Sequence, residues 1–183
     1  MIMNPGFKLA LLSAALLALP LAQAAAMSKA EYQSTKTHIK ADYTSDKAAC
    51  GSRSGNAKDI CIEEGKAKQS VALAELEYAY SGKASDRNKV QVAKAESSFA
   101  VAKERCDDLA GHPKAVCVQE AKAVKVKALA DAKLGKEVGE ARKDAAIDKR
   151  DADYQVAIEK CAALAGDAKT NCVAAAKTTY GKN

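Results

Sequence analysis

Between residues 92 and 109, apolar side chains fall at Val92, Ala95, Phe99, Ala102, Cys106 and Leu109, in alternating steps of three and four. That spacing puts them on one face of a helix for more than two heptads. The same face is legible in Ile147, Tyr154, Ala157, Cys161 and Leu164, with Arg150 interrupting it. It is weakest in Tyr32, Ile39, Tyr43 and Cys50, where Asp46 and Arg53 intrude. No stretch alternates in the β-branched pattern of a strand. The pattern predicts an all-α chain.

Each of these faces ends in a twelve-residue block bounded by cysteines: CGSRSGNAKDIC (50–61), CDDLAGHPKAVC (106–117) and CAALAGDAKTNC (161–172). An aromatic stands seven positions before each first cysteine, at Tyr43, Phe99 and Tyr154. A glycine stands six before each second cysteine, at Gly55, Gly111 and Gly166. Lysines recur three before it (Lys58, Lys114, Lys169) and five after it (Lys66, Lys122, Lys177). First cysteines are 56 and then 55 residues apart, so the chain is an internal repeat of about fifty-five residues.

The spacing predicts a helical hairpin in each repeat. The glycine is expected to end the first helix in the left-handed conformation. Asn56, His112 and Asp167 are expected to cap the second helix, with Ala57, Pro113 and Ala168 at its first position. The two cysteines then stand about equally far from the turn and face each other. Disulfides are predicted for Cys50–Cys61, Cys106–Cys117 and Cys161–Cys172, which requires Cα atoms about 4.4–6.8 Å apart. Metal or thiol chemistry is the remaining reading of a C-x10-C pair, but zinc, haem and redox spacings are absent.

The expected organisation is a signal peptide at 1–24, then hairpin repeats at 25–81, 82–138 and 139–183. Ser81-Gly82-Lys83-Ala84-Ser85 reads as a break between the first two repeats. Gly135 and Gly139 mark a weaker one between the second and third. Without it, residues 113–165 form one rod about 80 Å long. Whether the hairpins bundle or extend is left open by the pattern.

Composition adds compartment. Lys8 precedes an apolar run from Leu9 to Leu21, and Ala22-Gln23-Ala24 follows. That is the form of a secretory signal peptide, cut after Ala24 or, second, after Ala26. The run is shorter than a bilayer span of about 20 residues. An even number of cysteines in matched pairs fits an oxidising compartment, expected to be the periplasm. The chain has no Trp and two Phe, and Ala and Lys dominate, so the core is expected to be thin. Net charge is +6, falling to +5 without Lys8, and the charges are mixed as on solvated helix faces.

Little chemistry is legible. His38 and His112 have no counterparts in the other repeats and no partner nucleophile. No P-loop, nucleophile elbow or dinucleotide fingerprint is present. The chain is therefore expected not to be an enzyme, with no cofactor or metal and no nucleic-acid partner. The repeated lysines read either as ligands for anionic groups or as stems laid over the hairpin aromatics, the second being preferred.

CDDLAGHPKAVCVQEAKA (106–123) and ARKDAAIDKRDADYQVAIEKCAALAGDAKTNCVAAAK (141–177) resemble a group of small exported Ala/Lys-rich helical proteins, chiefly of beta-proteobacteria. Members are commonly labelled hypothetical or cell-envelope-biogenesis TolA-like. The resemblance implies an exported helical protein and carries no activity over to any residue. The expected role is structural or interaction work in the cell envelope, with an envelope protein or an anionic envelope surface as partner. The alternative is a periplasmic binding module, either a chaperone-like stress protein or a binder of metal or polyanion.

Overall fold

A computed structural model describes residues 27–182; the predicted signal peptide and its cleavage site lie outside them. Five helices follow in order: α1 Lys29–Ala49, α2 Gly55–Ser81, α3 Ala84–Cys106, α4 Gly111–Ala162 and α5 Gly166–Tyr180, with a 3-10 turn at Cys50–Ser52. The protein is all-α, with no strand among the described residues. Its three hairpins are α1–α2, α3–α4 and α4–α5, each carrying one disulfide.

The helices do not form a bundle. α1 packs on α2, α2 on α3, α3 on α4 and α4 on α5, and no other pair of helices touches. The result is a single folded-back layer in which each helix meets only its chain neighbours. Such a layer has little interior. The buried apolar residues are Cys50, Leu76, Val90, Ala95, Cys106, Ala132, Cys161 and Ala176, so three of these eight are the first cysteines of the clasps. The disulfides are themselves a large part of the core.

α1 begins with a reciprocal cap. Glu31 N–H donates to Ser28 Oγ, and Ser28 N–H donates to Glu31 Oε2. This satisfies two of the donors that a helix start leaves free. α2 ends at Gly82, whose φ of 64° lets the chain turn sharply into α3. The turn is tied by Ser81 Oγ, which donates to Asp86 Oδ2 and accepts from Lys83 N–H. The turn from α2 into α3 thus falls within Ser81–Ser85.

Between the second and third repeats the chain does not break. α4 is one helix of 52 residues, about 78 Å long, and it contains Gly135, Gly139 and the expected boundary at 138/139. The reason lies in the missing turn chemistry. Counting 56 on from Ser81 and Gly82 reaches Glu137 and Val138; counting 55 on from Asp86 reaches Ala141. A valine resists the left-handed conformation that Gly82 adopts. Gly135 and Gly139 stand at other positions, and an isolated glycine weakens a helix by about 1 kcal/mol without ending it. α3 covers the first half of α4 and α5 its last turns. Each of residues 133–146 is exposed, although Gly135 to Arg142 still border the open groove beside the start of α3.

Candidate functional site

The three clasps share the same span and the same turn features. Cα–Cα distances are 5.7 Å for Cys50–Cys61, 5.7 Å for Cys106–Cys117 and 5.6 Å for Cys161–Cys172. No cysteine among the described residues is free. In each, the N–H three residues after the first cysteine (Arg53, Leu109, Leu164) donates to that cysteine's carbonyl. The next residues to matter are extended at Ser54, Ala110 and Ala165, and then a glycine at φ +55° to +59° starts the following helix.

This corrects two expectations about the turn. The first helix ends at or within a residue of its cysteine rather than running on to the glycine, and the left-handed glycine opens the second helix instead of closing the first. The caps are Ser54, Ala110 and Ala165, none with a side-chain hydrogen bond, so Asn56, His112 and Asp167 sit two residues past the cap, at the second helical position. The disulfide thus joins the end of one helix to the second turn of the next. The buried first cysteine is covered by its partner helix, while the second is half-exposed.

The aromatics seven residues before each first cysteine are half-buried in every repeat. Tyr43 lies against Gly65, where a Cβ would stand 3.5 Å from the ring. Lysines do cover two of these aromatics, but they are not the lysines that recur in each repeat. Lys125 sits 4.8 Å from the Phe99 centroid while pairing with Glu96, and Lys182 lies 5.9 Å from that of Tyr154. Lys182 also stands 2.6 Å from Asp151 as an ion pair, without hydrogen-bond alignment. Of the repeated lysines, Lys66 pairs with Glu63 and Lys114 with Asp107. Among the described residues, none of Lys58, Lys114 and Lys169 places its ammonium over an aromatic ring.

Charge is organised along the α2–α3 contact. Lys94 meets Glu75 at 2.7 Å, Arg105 meets Glu64 at 2.6 Å, and Asn56 Nδ2 donates to the Glu104 carbonyl. At the turn, Lys89 and then Ser81 hold the Asp86 carboxyl below its ordinary range, and Asp86 raises Lys89 in return. Glu31 is likewise lowered, by the Ser28 backbone and then its hydroxyl. The hydrogen bond and charge of Asp46 raise Lys68 across α1 and α2. These are structural ties, and none converges on a cavity with a nucleophile.

Two open grooves flank α3. One, of about 560 Å³, lies against α2 between Val71 and Val101; the other, of about 940 Å³, lies against α4 between Ala95 and Val138. His38 and His112 are exposed and line neither groove. No group of His, Cys, Asp or Glu among the described residues has the arrangement of a metal site. No described helix is long and apolar enough to cross a membrane. Comparison with family models, with curated proteins and with solved structures finds no match.

Sequence reasoning brought together the six cysteines in their correct pairs. It missed the second face of α3, where Val90 and Ser97 are buried because α3 lies between two helices. On α4, which meets α3 on one side only over this stretch, Val124 is among the most exposed apolar residues. The signal for both was the helix order: a middle helix in a layer needs two apolar faces, and a thin stripe of alanines needs only one.

Proposed function

We propose that the protein is a non-enzymatic, periplasmic helical spacer with a structural or interaction role in the cell envelope. The observation that carries this reading is α4: one 52-residue helix holds the α3–α4 and α4–α5 clasps at its two ends and runs on unbroken between them, with every residue from 133 to 146 exposed. A long helix with an exposed middle over residues 133–146 is suited to spanning distance. Three disulfides fit an oxidising compartment. The predicted leader and the resemblance to exported Ala/Lys-rich proteins point to the periplasm.

The test is export of the full chain in a Gram-negative host, with intact-mass measurement of the osmotic-shock fraction without reduction. The reading expects a chain beginning at Ala25, three intact bonds, and retention with envelope fragments through a defined protein or anionic-polymer contact. A cytosolic chain with free thiols would sink it.

The alternative, a chaperone-like binding module, draws on the apolar walls of the two grooves beside α3. Suppression of client aggregation at substoichiometric amounts would favour that module over the spacer.

A further inference from the structure

We infer that the bare face of α4 is a self-association surface, on which α4 of a second copy packs antiparallel about a two-fold axis near residue 140. The inference goes beyond the spacer reading and stands or falls independently of compartment.

The face is defined by exposure. Val124, Leu134, Val138 and Val156 are 63%, 59%, 41% and 55% exposed. At about 100° per residue these four fall within about 40° either side of one line along the helix. Over its first half that line runs along the outer rim of the groove between α3 and α4, which Val124, Asp131 and Val138 also line, while α3 packs deeper in, toward Lys125 and the buried Ala132, and α5 packs nearly opposite the line, over Tyr154. Neither covers the line. Six charged residues, Glu120, Lys127, Asp131, Lys149, Asp153 and Lys160, lie on or beside it, and none makes an ion pair among the described residues.

Their order is self-complementary. Glu120 and Lys160, Lys127 and Asp153, and Asp131 and Lys149 are all centred on position 140, and so are Val124 and Val156. When two such helices run antiparallel with 140 at the dyad, every one of these pairs comes opposite its partner on the other copy. Each acid meets a base, and valine meets valine. A two-fold axis doubles each contact, which is the isologous geometry of most dimers. Arg142 then lies opposite Val138, where its stem extends the apolar strip.

The protein already makes this contact once within itself. Glu64–Arg105 and Glu75–Lys94 join α2 to α3. Their counterparts one repeat on are Glu120 with Lys160 and Asp131 with Lys149, by steps of 56 on the acid side and 55 on the basic side. In the first case the chain turns at Gly82, and the partners meet within one copy. In the second the chain runs straight, and Glu120 and Lys160 are left about 60 Å apart on one helix. Only another copy brings them together while α4 stays unbroken.

The experiment uses the oxidised chain from residue 25 onward. Sedimentation over a concentration series is expected to show a reversible monomer–dimer equilibrium. Asp131→Lys or Lys149→Asp alone is expected to raise the dissociation constant about tenfold, since each change acts on both sides of the dyad. The double reversal Asp131→Lys/Lys149→Asp is expected to restore it. Zero-length carbodiimide crosslinking of mixed 14N and 15N protein is expected to link Asp131 to Lys149, and Glu120 to Lys160, between light and heavy chains. A monomer at every concentration, links confined to one chain, or association indifferent to both single reversals would each overturn the inference. Links within one chain would mean that α4 folds back on itself.

Discussion

The hydroxyl of Ser81 donates a 2.6 Å hydrogen bond to Asp86 across the left-handed Gly82, and this pair ties the one described helix-to-helix turn that no disulfide holds. Asp86 also meets Lys89 at 2.8 Å and is itself buried. The turn is therefore a small charged joint in a protein whose other joints are covalent.

That joint is pH-sensitive on the acid side. Lys89 foremost, then Ser81, hold Asp86 below its ordinary value of 3.8 in the folded chain. A carboxyl lowered by folding contributes stability above its unfolded value and loses it as the pH falls through the folded one. Its contribution is thus expected to be flat above about pH 5 and to fall below about pH 4. Glu31 behaves in the same sense at the start of α1, so the measurement is a difference. Thermal unfolding of the wild type against Asp86→Asn should show a gap at neutral pH that narrows in acid. A gap constant from pH 7 to pH 2 would contradict it.

Removing one clasp should have different consequences at the middle and at the end of the layer. Closing a loop of this length contributes about 3 kcal/mol. Cys106→Ala/Cys117→Ala loosens a joint with packed helices on both sides and is expected to lower global stability by about 2–4 kcal/mol. α5 touches only α4, so Cys161→Ala/Cys172→Ala is expected to melt α5 locally. Hydrogen exchange would then show α5 amides losing protection while α2 and α3 keep theirs. Equal loss throughout would mean that the layer unfolds as one unit.

Two glycines should answer oppositely to alanine. Gly65 is helical and buried, and a Cβ there would make ordinary contact with Tyr43 at 3.5 Å. Gly65→Ala is expected to stabilise by up to about 1 kcal/mol through helix propensity. Gly111 has open space around it but φ of +59°. Gly111→Ala is expected to cost about 1–2 kcal/mol of left-handed strain. Denaturant titration of both variants checks the signs.

The cysteine pairs were legible because their spacing repeats three times with the same glycine inside, and a pattern that recurs outweighs any single weak seam. The helix ends within the clasps were not legible. Cysteine and glycine each announced a turn, but the order in which the chain leaves one helix and enters the next depends on backbone angles at Ser54, Ala110 and Ala165, and the two alanines carry no turn signature of their own. The cap at Ser28 and Glu31 carries the familiar S-x-x-E spacing and was open to reading from sequence alone. α4 shows the opposite case: Gly135 and Gly139 suggested a break by composition, while register against Ser81 and Gly82 argued that the chemistry of a break was missing.

That argument can be tested by supplying the chemistry. Replacing residues 137–141 with the six residues SGKASD of positions 81–86 restores both the Ser-Gly-Lys turn and a 56-residue spacing. The left-handed glycine becomes available, and the serine and aspartate can close across it as they do between α2 and α3. The new chain is expected to turn there, folding residues 142–162 back along the first half of α4. Glu120 and Lys160 would then meet within one copy, as Glu64 and Arg105 do now. Helical content should hardly change, because the same residues remain helical on either side of the turn. The hydrodynamic radius should fall, since a rod of about 78 Å is halved, and concentration-dependent association should vanish with it. An unchanged radius would mean that the straightness of α4 comes from something other than the absent turn.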